Sequence, residues 1–415
     1  MQAENNKNNI KTVTFGCRLN SIESEKIAEM ISDALPRAVV INTCAVTGEA
    51  ERQSAQYVRR VARENPNTPV IITGCAATHD ARAFDEIPNV RVVTNSEKLN
   101  RDAYVRAVAN FDFATSDAEI IVSNPDAPMS KQFVQIQNGC NHDCTYCITR
   151  LLRGPSVSHE YADILADVRA AVENGYSEIV LTGVDSASYH KNYDGKPFLI
   201  SDLCRKLLAD VPGLQRLRLS SMDPASPEIY KIIDLIHENP RMMPHLHISM
   251  QSGSDTILHA MRRRHTAQMV RDIVAHATGI TFSWDIICGF PGETDDLFNE
   301  TMKLIADTKP IRIHAFPFSP RPGTVAAEMP NRVHKSVAKQ RVKDAANAAT
   351  CNRKEFMGAY LGQKVSVLVE KNNYGRTTHD MPVVIMGDLI PNRTICDCKI
   401  VGIDGEKFVV CVTTN

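Results

Sequence analysis

The sequence lacks an apolar stretch long enough to cross a bilayer, and its first nine residues are polar, without the apolar segment of a signal peptide. It also lacks an excess of charge of either sign, because the formal net charge of its 415 residues is −1. No overall basicity therefore indicates a nucleic-acid partner, and any RNA contact would need a local cationic patch. These absences predict a cytoplasmic protein with no membrane partner and no DNA partner.

No disordered composition dominates the chain, since 43% of its residues are hydrophobic and 23% are charged. The length is sufficient for two or three domains, each with its own core. Twelve cysteines are present. In a reducing compartment, metal ligation explains so many cysteines better than disulfide bonds do.

The densest cysteine pattern lies in residues 140–147, where Cys140, Cys144 and Cys147 are separated by three and then two residues. With this spacing one short loop can hold three irons of a cubane cluster and leave the fourth open to a chelating molecule. The loop follows a strand-like run, which places it at the mouth of a sheet. A zinc knuckle and three unconnected core cysteines are the alternatives, but zinc prefers a fourth ligand at a matching spacing. His142 in this loop is either a ligand or a solvated loop residue, and we interpret it as solvated.

A second cysteine set comes from the first hundred residues, where β-rich runs alternate with amphipathic helical ones and predict a parallel sheet flanked by helices. Cys17, Cys44 and Cys75 each follow one of the first three runs directly. The carboxyl ends of parallel strands share one edge, so these thiols are expected to converge into a second three-thiolate site. The alternative is three cysteines that merely happen to end strands. The predicted strands cover residues 12–15, 38–41, 69–72 and 90–93.

Periodicity is lost between residues 111 and 129, which predicts a linker, and a new domain begins near Lys131. Six further βα units predict an open, partial barrel with its chemistry on the loops after the strands. These loops offer hydrogen-bonding groups and close backbone approach for an adenine, a ribose or an amino-acid moiety, although each turn alone can also be structural. The strands are predicted at residues 133–137, 178–181, 214–219, 245–248, 282–287 and 311–316.

The last part of the chain begins with a basic helical stretch, residues 331–354, which is either a nucleic-acid contact or a solvated helix face. Short alternating strands then predict a small β-barrel. A turn at residues 375–378 is predicted to present Arg376. Six cysteines are interpreted as structural, namely Cys204, Cys288, Cys351, Cys396, Cys398 and Cys411.

Seven short motifs together resemble the radical S-adenosylmethionine (SAM) methylthiotransferases over nearly the full chain. The resemblance implies an α/β protein with a methylthiotransferase domain at residues 1–125, a radical SAM partial barrel at 126–354 and a β-barrel TRAM domain at 355–415. The chain departs from the family at Thr149, where proline is usual, which leaves the local loop shape open. The motifs are GCRLN at 16–20, INTCAVT at 41–47, TGC at 73–75, the 140–147 loop, QSGSD at 251–255, GFPGET at 289–294 and SPRPGT at 319–324.

The resemblance also implies the cofactors. SAM would chelate the open iron of a [4Fe–4S] cluster on the 140–147 loop, and an auxiliary [4Fe–4S] cluster on the N-terminal thiols would hold the transferred sulfur, with two SAM molecules used per turnover. No side chain is assigned a catalytic role. The implied partners are the tRNA anticodon stem-loop and an electron donor of the flavodoxin type. Because the chain has no overall basicity, we expect its local cations, the basic helix and Arg376, to contact the tRNA. The residues expected to bind SAM are Tyr146, Gly183, Asp185, Ser220 and Gln251.

Within the family, residues 18–20, 43–50 and 181–185 are most similar to the branch that adds a methylthio group to carbon 2 of N6-threonylcarbamoyladenosine at position 37 of tRNA. The branch acting on N6-isopentenyladenosine usually has Gln-Met-Asn after the first cysteine, and the branch acting on an aspartate of a ribosomal protein has Pro-Lys-Asn. Those two substrates remain the alternatives within the family. A metal-stabilised RNA-binding module without catalysis is the alternative outside it.

Overall fold

The computed structural model describes residues 10–111, 120–122 and 130–413. Among these residues, no helix combines the length and apolar character needed to cross a membrane. Most of the predicted linker and the proposed domain boundary at 125/126 lie outside the described residues.

The N-terminal region is a four-stranded parallel sheet in the order β1-β2-β3-β4, so the four predicted strands are confirmed. Side chains from β2 and β3 pack on both faces, with Val39 and Ile41 in one core and Val40 in another. Helices cover both faces, which explains why these strands are almost wholly apolar. The strands are β1 Ile10–Thr14, β2 Ala38–Thr43, β3 Val70–Gly74 and β4 Val90–Val92, and the helices are α1 Arg18–Ile31, α2 Gly48–Glu64, α3 Cys75–His79 and α4 Arg101–Val108.

The central region contains all six predicted barrel strands. Its strands are β5 Gln132–Asn138, β6 Val157–Ser158, β7 Glu178–Gly183, β8 His190–Tyr193, β9 Lys196–Leu199, β10 Arg216–Leu219, β11 Ser221–Met222, β12 His245–Gln251, β13 Thr281–Cys288 and β14 Arg312–Pro317. Its helices are α5 Thr149–Arg153, α6 Tyr161–Glu173, α7 Ile200–Asp210, α8 Glu228–Glu238, α9 Asp255–Ala260, α10 Ala267–His276, α11 Asp295–Thr308 and α12 Lys335–Ala359. The barrel wall consists of two sheets, ordered β10-β7-β5-β6 and β11-β12-β13-β14. Leu217 of β10 also forms an isolated bridge with Met242, which precedes β12 of the second sheet.

Side chains of the barrel strands alternate between the helix-covered core and the lumen. On β13, Trp284 and Ile286 are buried in the main core, whereas Asp285 between them is only partly buried. On β14, Ile313 packs into the same core and His314 is exposed. Because successive side chains of a strand point to opposite faces, Asp285 and His314 line the lumen.

The C-terminal region is a closed five-stranded barrel in the order β15-β16-β17-β19-β18. The predicted turn at residues 375–378 is wrong, because Arg376 lies within a strand, β16. At Gly375 a Cβ would lie 2.4 Å from the Leu368 carbonyl oxygen, so glycine permits close pairing there. The proposed boundary at 354/355 falls within α12 and stays a prediction. The strands are β15 Lys364–Lys371, β16 Tyr374–Thr377, β17 Pro382–Met386, β18 Ile395–Asp404 and β19 Lys407–Val412.

Candidate active site

The loop between β5 and α5 brings Cys140, Cys144 and Cys147 together at the carboxyl end of the barrel, which we call the mouth. The Cys140 N–H donates to the Gly154 carbonyl oxygen at 3.1 Å, and the Cys147 N–H donates to the Cys144 carbonyl oxygen at 3.1 Å. Burial, together with the charges of Asp185, Cys147 and Cys144, raises the pKa of the Cys140 thiol to about 11. Metal binding at these thiols would therefore release their protons, because thiolate is the form that ligates a metal.

Arg263 supplies a cation beside these thiols. Its Nη1 donates to Cys144 Sγ at 3.5 Å, and its Nη2 donates to Asp223 Oδ1 at 3.1 Å and to the Ser249 carbonyl oxygen at 3.0 Å. Its buried Nε has no hydrogen-bond partner among the described residues. Sequence reasoning missed Arg263, although the run of three arginines at 262–264 after the QSGSD motif was an available signal.

Thr149 explains how the loop tolerates the departure from proline. Thr149 begins α5, and its side chain and its backbone both hydrogen-bond to the Cys147 thiol, lowering a pKa that burial raises. Proline has no N–H with which to make the backbone contact. The departure therefore adds a hydrogen bond to a thiol.

The interpretation of His142 as a solvated residue was wrong. Its Nε2 lies 2.7 Å from Asp185 Oδ2 and 3.6 Å from Asp223 Oδ2, and its side chain is 20% exposed. His142 therefore ties the cysteine loop to the loops after β7 and β11.

The five residues predicted to bind SAM lie around the same mouth. Gly183 ends β7 where a Cβ would lie 2.8 Å from Gln137 Oε1, and the N–H of Asp185 donates to that same oxygen at 2.9 Å. Ser220 lies 3.3 Å from Ser186 between their hydroxyl oxygens. The structure brings these residues to one rim, and their contact with SAM stays a prediction.

Gln251 and Tyr146 complete that set. Gln251 ends β12 at a break in its register with β13, and its φ of +69° is the left-handed region that few non-glycine residues adopt. Tyr146 packs in an apolar cluster with Met261, Phe290 and Phe318. Burial raises the pKa of the Tyr146 hydroxyl well above its usual value.

The N-terminal thiols also converge. Cys17 precedes α1, Cys44 follows β2, and Cys75 begins α3 directly after β3. Gly16 has a φ of +95°, and a Cβ there would lie 2.5 Å from Cys44 Sγ, so only glycine lets the two loops approach. Burial raises the pKa of Cys44 to about 11, with the charges of Cys17 and Cys75 adding to the shift.

A buried ion cluster connects the two thiol sites. Arg153 Nη1 donates to Glu23 Oε1 at 2.7 Å, and Lys98 Nζ lies 2.5 Å from Glu23 Oε2, all with side chains no more than 3% exposed. Burial lowers the pKa of Arg153, but Glu23 and then the charges of Cys75 and Cys17 raise it above its usual value. Arg153 lies on α5, directly after the Cys140–Cys147 loop, and Glu23 lies on α1, which begins directly after Cys17. The ion cluster therefore holds the Cys140–Cys147 loop against the N-terminal thiol site. Sequence reasoning missed it.

Asn95 provides a second connection. Its Nδ2 donates to Cys75 Sγ at 3.6 Å and to the Leu152 carbonyl oxygen on α5 at 3.0 Å. Three converging thiols can hold three irons of a [4Fe–4S] cluster, and hydrogen bonds to its sulfurs tune such a cluster. Both thiol sites offer three thiols of this kind. A pocket of about 400 Å³ lined by Phe282 and Tyr360 lies at the opposite end of the strands and includes none of the predicted site residues.

Comparisons with known proteins agree with this geometry. Residues 134–305 match the radical SAM superfamily, and residues 9–95 match the uncharacterized protein family UPF0004. A protein of Rickettsia prowazekii named threonylcarbamoyladenosine tRNA methylthiotransferase MtaB is 37% identical over 98% of both chains. A protein of Anaplasma marginale named tRNA-2-methylthio-N(6)-dimethylallyladenosine synthase is 30% identical over 90% of this chain and 89% of its own.

Among solved structures, the radical SAM methyltransferase TsrM from Kitasatospora setae matches with a TM-score of 0.55. The match covers 74% of this chain and 66% of TsrM at 14% identity, which shows the fold alone. Relatives of 30% identity or more over nearly the whole chain show more than a fold. The chain belongs to the family of radical SAM methylthiotransferases and is an enzyme of that class.

Proposed function

We propose that this enzyme adds a methylthio group to carbon 2 of N6-threonylcarbamoyladenosine at position 37 of tRNA. The observation that carries the proposal is the meeting of two three-thiol sites across α5, in a chain that aligns over 98% of its length with a methylthiotransferase named for that nucleoside. The relative named for dimethylallyladenosine supports a second candidate, the same reaction on that nucleoside, at lower identity.

Carbon 2 of adenine carries an unactivated hydrogen, so the difficult step depends on cofactors. Cys140, Cys144 and Cys147 would hold a [4Fe–4S] cluster, which would supply the electron for cleavage of SAM to a 5′-deoxyadenosyl radical. The protein positions the reactants: Arg263 balances thiolate charge, and Tyr146, with four residues of the rim, encloses SAM. Those four are Gly183, Asp185, Ser220 and Gln251.

The thiols of Cys17, Cys44 and Cys75 are proposed to hold a second cluster that supplies the transferred sulfur, with two SAM molecules used per turnover. The observation that supports this proposal is the buried ion cluster around Arg153, which holds the two thiol sites next to each other. A flavodoxin-type protein is the proposed electron donor.

The anticodon loop is single-stranded at position 37, so its adenosine can be turned out of the stack into the mouth. Exposed Lys335, Lys339 and Lys343 lie four residues apart on α12. Ala338 of that helix packs against Gly289 at the mouth, which puts these lysines beside the entrance. We propose that they contact the RNA backbone, together with Arg376 in the TRAM barrel.

To test the proposal, the reconstituted enzyme is incubated with anticodon stem-loops that carry either threonylcarbamoyladenosine or isopentenyladenosine. The nucleosides of each RNA are then analysed by mass spectrometry. We expect 2-methylthio product from threonylcarbamoyladenosine and none from a variant with Cys140, Cys144 and Cys147 changed to Ala. Product only from the isopentenyl RNA would select the second candidate. In a parallel assay with a radiolabelled methylthio donor, transfer of label to ribosomes and not to tRNA would indicate a protein substrate. Absence of 5′-deoxyadenosine after addition of SAM and dithionite would indicate an RNA-binding module without catalysis.

A further inference from the structure

Three polar side chains form a cluster on the lumen wall of the barrel. His247, Asp285 and His314 lie on the neighbouring parallel strands β12, β13 and β14, where Asp285 is paired with His314 in register. His247 Nε2 is 3.0 Å from Asp285 Oδ2, and His314 Nδ1 is 3.5 Å from Asp285 Oδ1. The carboxylate therefore joins two imidazoles, one through each oxygen.

This cluster becomes more open toward the edge of the barrel. The exposed fraction of the side chain rises from 18% for His247 to 31% for Asp285 and 48% for His314. Behind it, Ser283 Oγ lies 2.8 Å from His247 Nδ1, which holds the inner imidazole in place. Among the described residues, the structure shows no further hydrogen bond for His314, so its second nitrogen is available to a ligand.

An exposed aromatic ring lies above His314 on the same face of β14. Phe316 is 42% exposed, and at about 3.3 Å per residue it stands roughly 7 Å closer to the mouth than His314. Aromatic rings are the surfaces on which single-stranded bases stack. The lumen thus presents a stacking ring near the mouth and a polar cluster below it.

Resting on the proposed function, we propose that Phe316 stacks against the adenine while His314, supported by Asp285 and His247, binds the threonylcarbamoyl group on N6. That substituent carries a carboxylate, a hydroxyl and a ureido group, which match imidazole donors and a carboxylate acceptor. It extends over roughly four bonds of about 1.3–1.5 Å beyond N6, enough to reach from a ring on Phe316 toward His314. The cluster is a specificity site for the nucleoside.

The same wall disfavours an isopentenyl group. Burying an apolar chain against His314 would take water away from its second ring nitrogen and give that nitrogen no hydrogen-bond partner, and unpaired buried polar groups are costly. Sites built to hydrogen-bond a substrate reject analogues that lack the polar group far more strongly than apolar pockets reject a methylene.

The test measures binding without catalysis, by fluorescence anisotropy of labelled anticodon stem-loops with threonylcarbamoyladenosine or isopentenyladenosine at the target position. For the wild-type holoenzyme we expect tighter binding of the threonylcarbamoyl RNA. His314→Leu should weaken that binding by about 10- to 100-fold, the range for a lost hydrogen bond to a charged group. It should leave binding of the isopentenyl RNA equal or tighter, and His314→Asn should lie between Leu and wild type.

His276→Leu is the matched control. His276 is 45% exposed and lies 2.8 Å from Asp234, but on the outer surface of the barrel, so both affinities should be unchanged. Iron content and thermal midpoint of each variant report folding. A preference for the threonylcarbamoyl RNA that survives in His314→Leu and His314→Asn would overturn the specificity site and leave the proposed function intact. No such preference in the wild type would also overturn the specificity site, whereas absence of 2-methylthio product from the threonylcarbamoyl RNA would overturn the proposed function itself.

Discussion

Both ends of the central barrel hold many charged groups, but the two ends differ in the partners that these groups find within the protein. At the mouth, the Nε of Arg263 is buried without a hydrogen-bond partner among the described residues. In the lumen below it, only the Nδ1 of His314 contacts a polar group of the described residues, which leaves its Nε2 open to a ligand. At the amino ends of the strands, which we call the floor, Glu178 is fully buried and lies 3.2 Å from Lys131 Nζ and 2.9 Å from Arg218 Nε. At the floor the buried carboxylate is therefore paired with cations of the protein itself, although Arg218 Nη1 has no hydrogen-bond partner among the described residues.

The C-terminal barrel supplies further partners for the cations of the floor. Asp380, beside β16, receives Lys131 at 3.1 Å and Arg312 at 2.9 Å, and Arg218 donates to the Thr378 carbonyl oxygen at 3.1 Å. The donors of the mouth face the place where cofactors and RNA are proposed to bind. Changes at the floor are therefore expected to reduce stability, and changes at the mouth to reduce chemistry.

The largest effect is expected from removing the thiols of either three-thiol site. Changing Cys17, Cys44 and Cys75 to Ala should abolish the methylthio product while 5′-deoxyadenosine still forms, because SAM cleavage requires only the other site. Changing Cys140, Cys144 and Cys147 should abolish both. Chromatography of the nucleosides, with iron analysis falling from roughly eight to roughly four per chain in each variant, measures this.

Exposed Cys351→Ala on α12 is the control and should change neither iron nor product. Wild-type iron near four per chain that does not fall in the N-terminal variant would contradict the second cluster. Failure of that variant to cleave SAM, with its remaining cluster intact, would contradict the division of roles.

A site can be predicted from the sequence when each of its residues is positioned by the segment of chain next to it. Cys17, Cys44 and Cys75 were predictable because each follows its own strand and parallel strands end at one edge. His142, Arg153 and the floor were not. A charged residue is normally exposed, and only packing between distant segments shows that it is buried and paired.

The same reason explains the error at Arg376. Glycine followed by arginine and threonines is typical of a turn, but the short strand β16 depends on pairing with β15 and β17 on either side. The sequence of residues 374–377 does not contain that information, because strand propensity depends on neighbouring strands.

A smaller effect, on stability, is expected at the floor. Glu178→Gln keeps the side-chain shape but removes the charge between Arg218, Lys131 and Arg216. Burial raises the pKa of Glu178, and the charges of Arg218 and then Lys131 bring it down from 4.5 to about 2. At about 1.4 kcal/mol per pKa unit, the lost stabilisation is roughly 3 kcal/mol at neutral pH. Urea unfolding at pH 7 measures it.

The pH dependence has a definite sign. Because the pKa of Glu178 is lowered on folding, its stabilisation is present above the unfolded value of about 4.5 and is lost as pH falls toward about 2. Wild type and Glu178→Gln should converge over that range. Glu49→Gln, which removes an exposed pair with Arg52, should leave unfolding unchanged at pH 7. A Glu178 variant as stable as wild type would show that the floor does not hold the two barrels together.

The smallest effect concerns RNA affinity and compares a cation of each end. Lys339 is exposed on α12 near the mouth, whereas Arg376 at the floor is 29% exposed and shares its guanidinium between Asp380 at 3.2 Å and Glu370 at 3.4 Å. Removing one phosphate contact should flatten the log–log dependence of affinity on salt by about one unit. We expect Lys339→Ala to do so, and Arg376→Ala to weaken tRNA binding with a smaller change in slope, because two carboxylates already offset its charge. An unchanged affinity and slope for Arg376→Ala, measured by salt titration of tRNA binding, would assign Arg376 to the floor alone and leave the RNA to the lysines of α12.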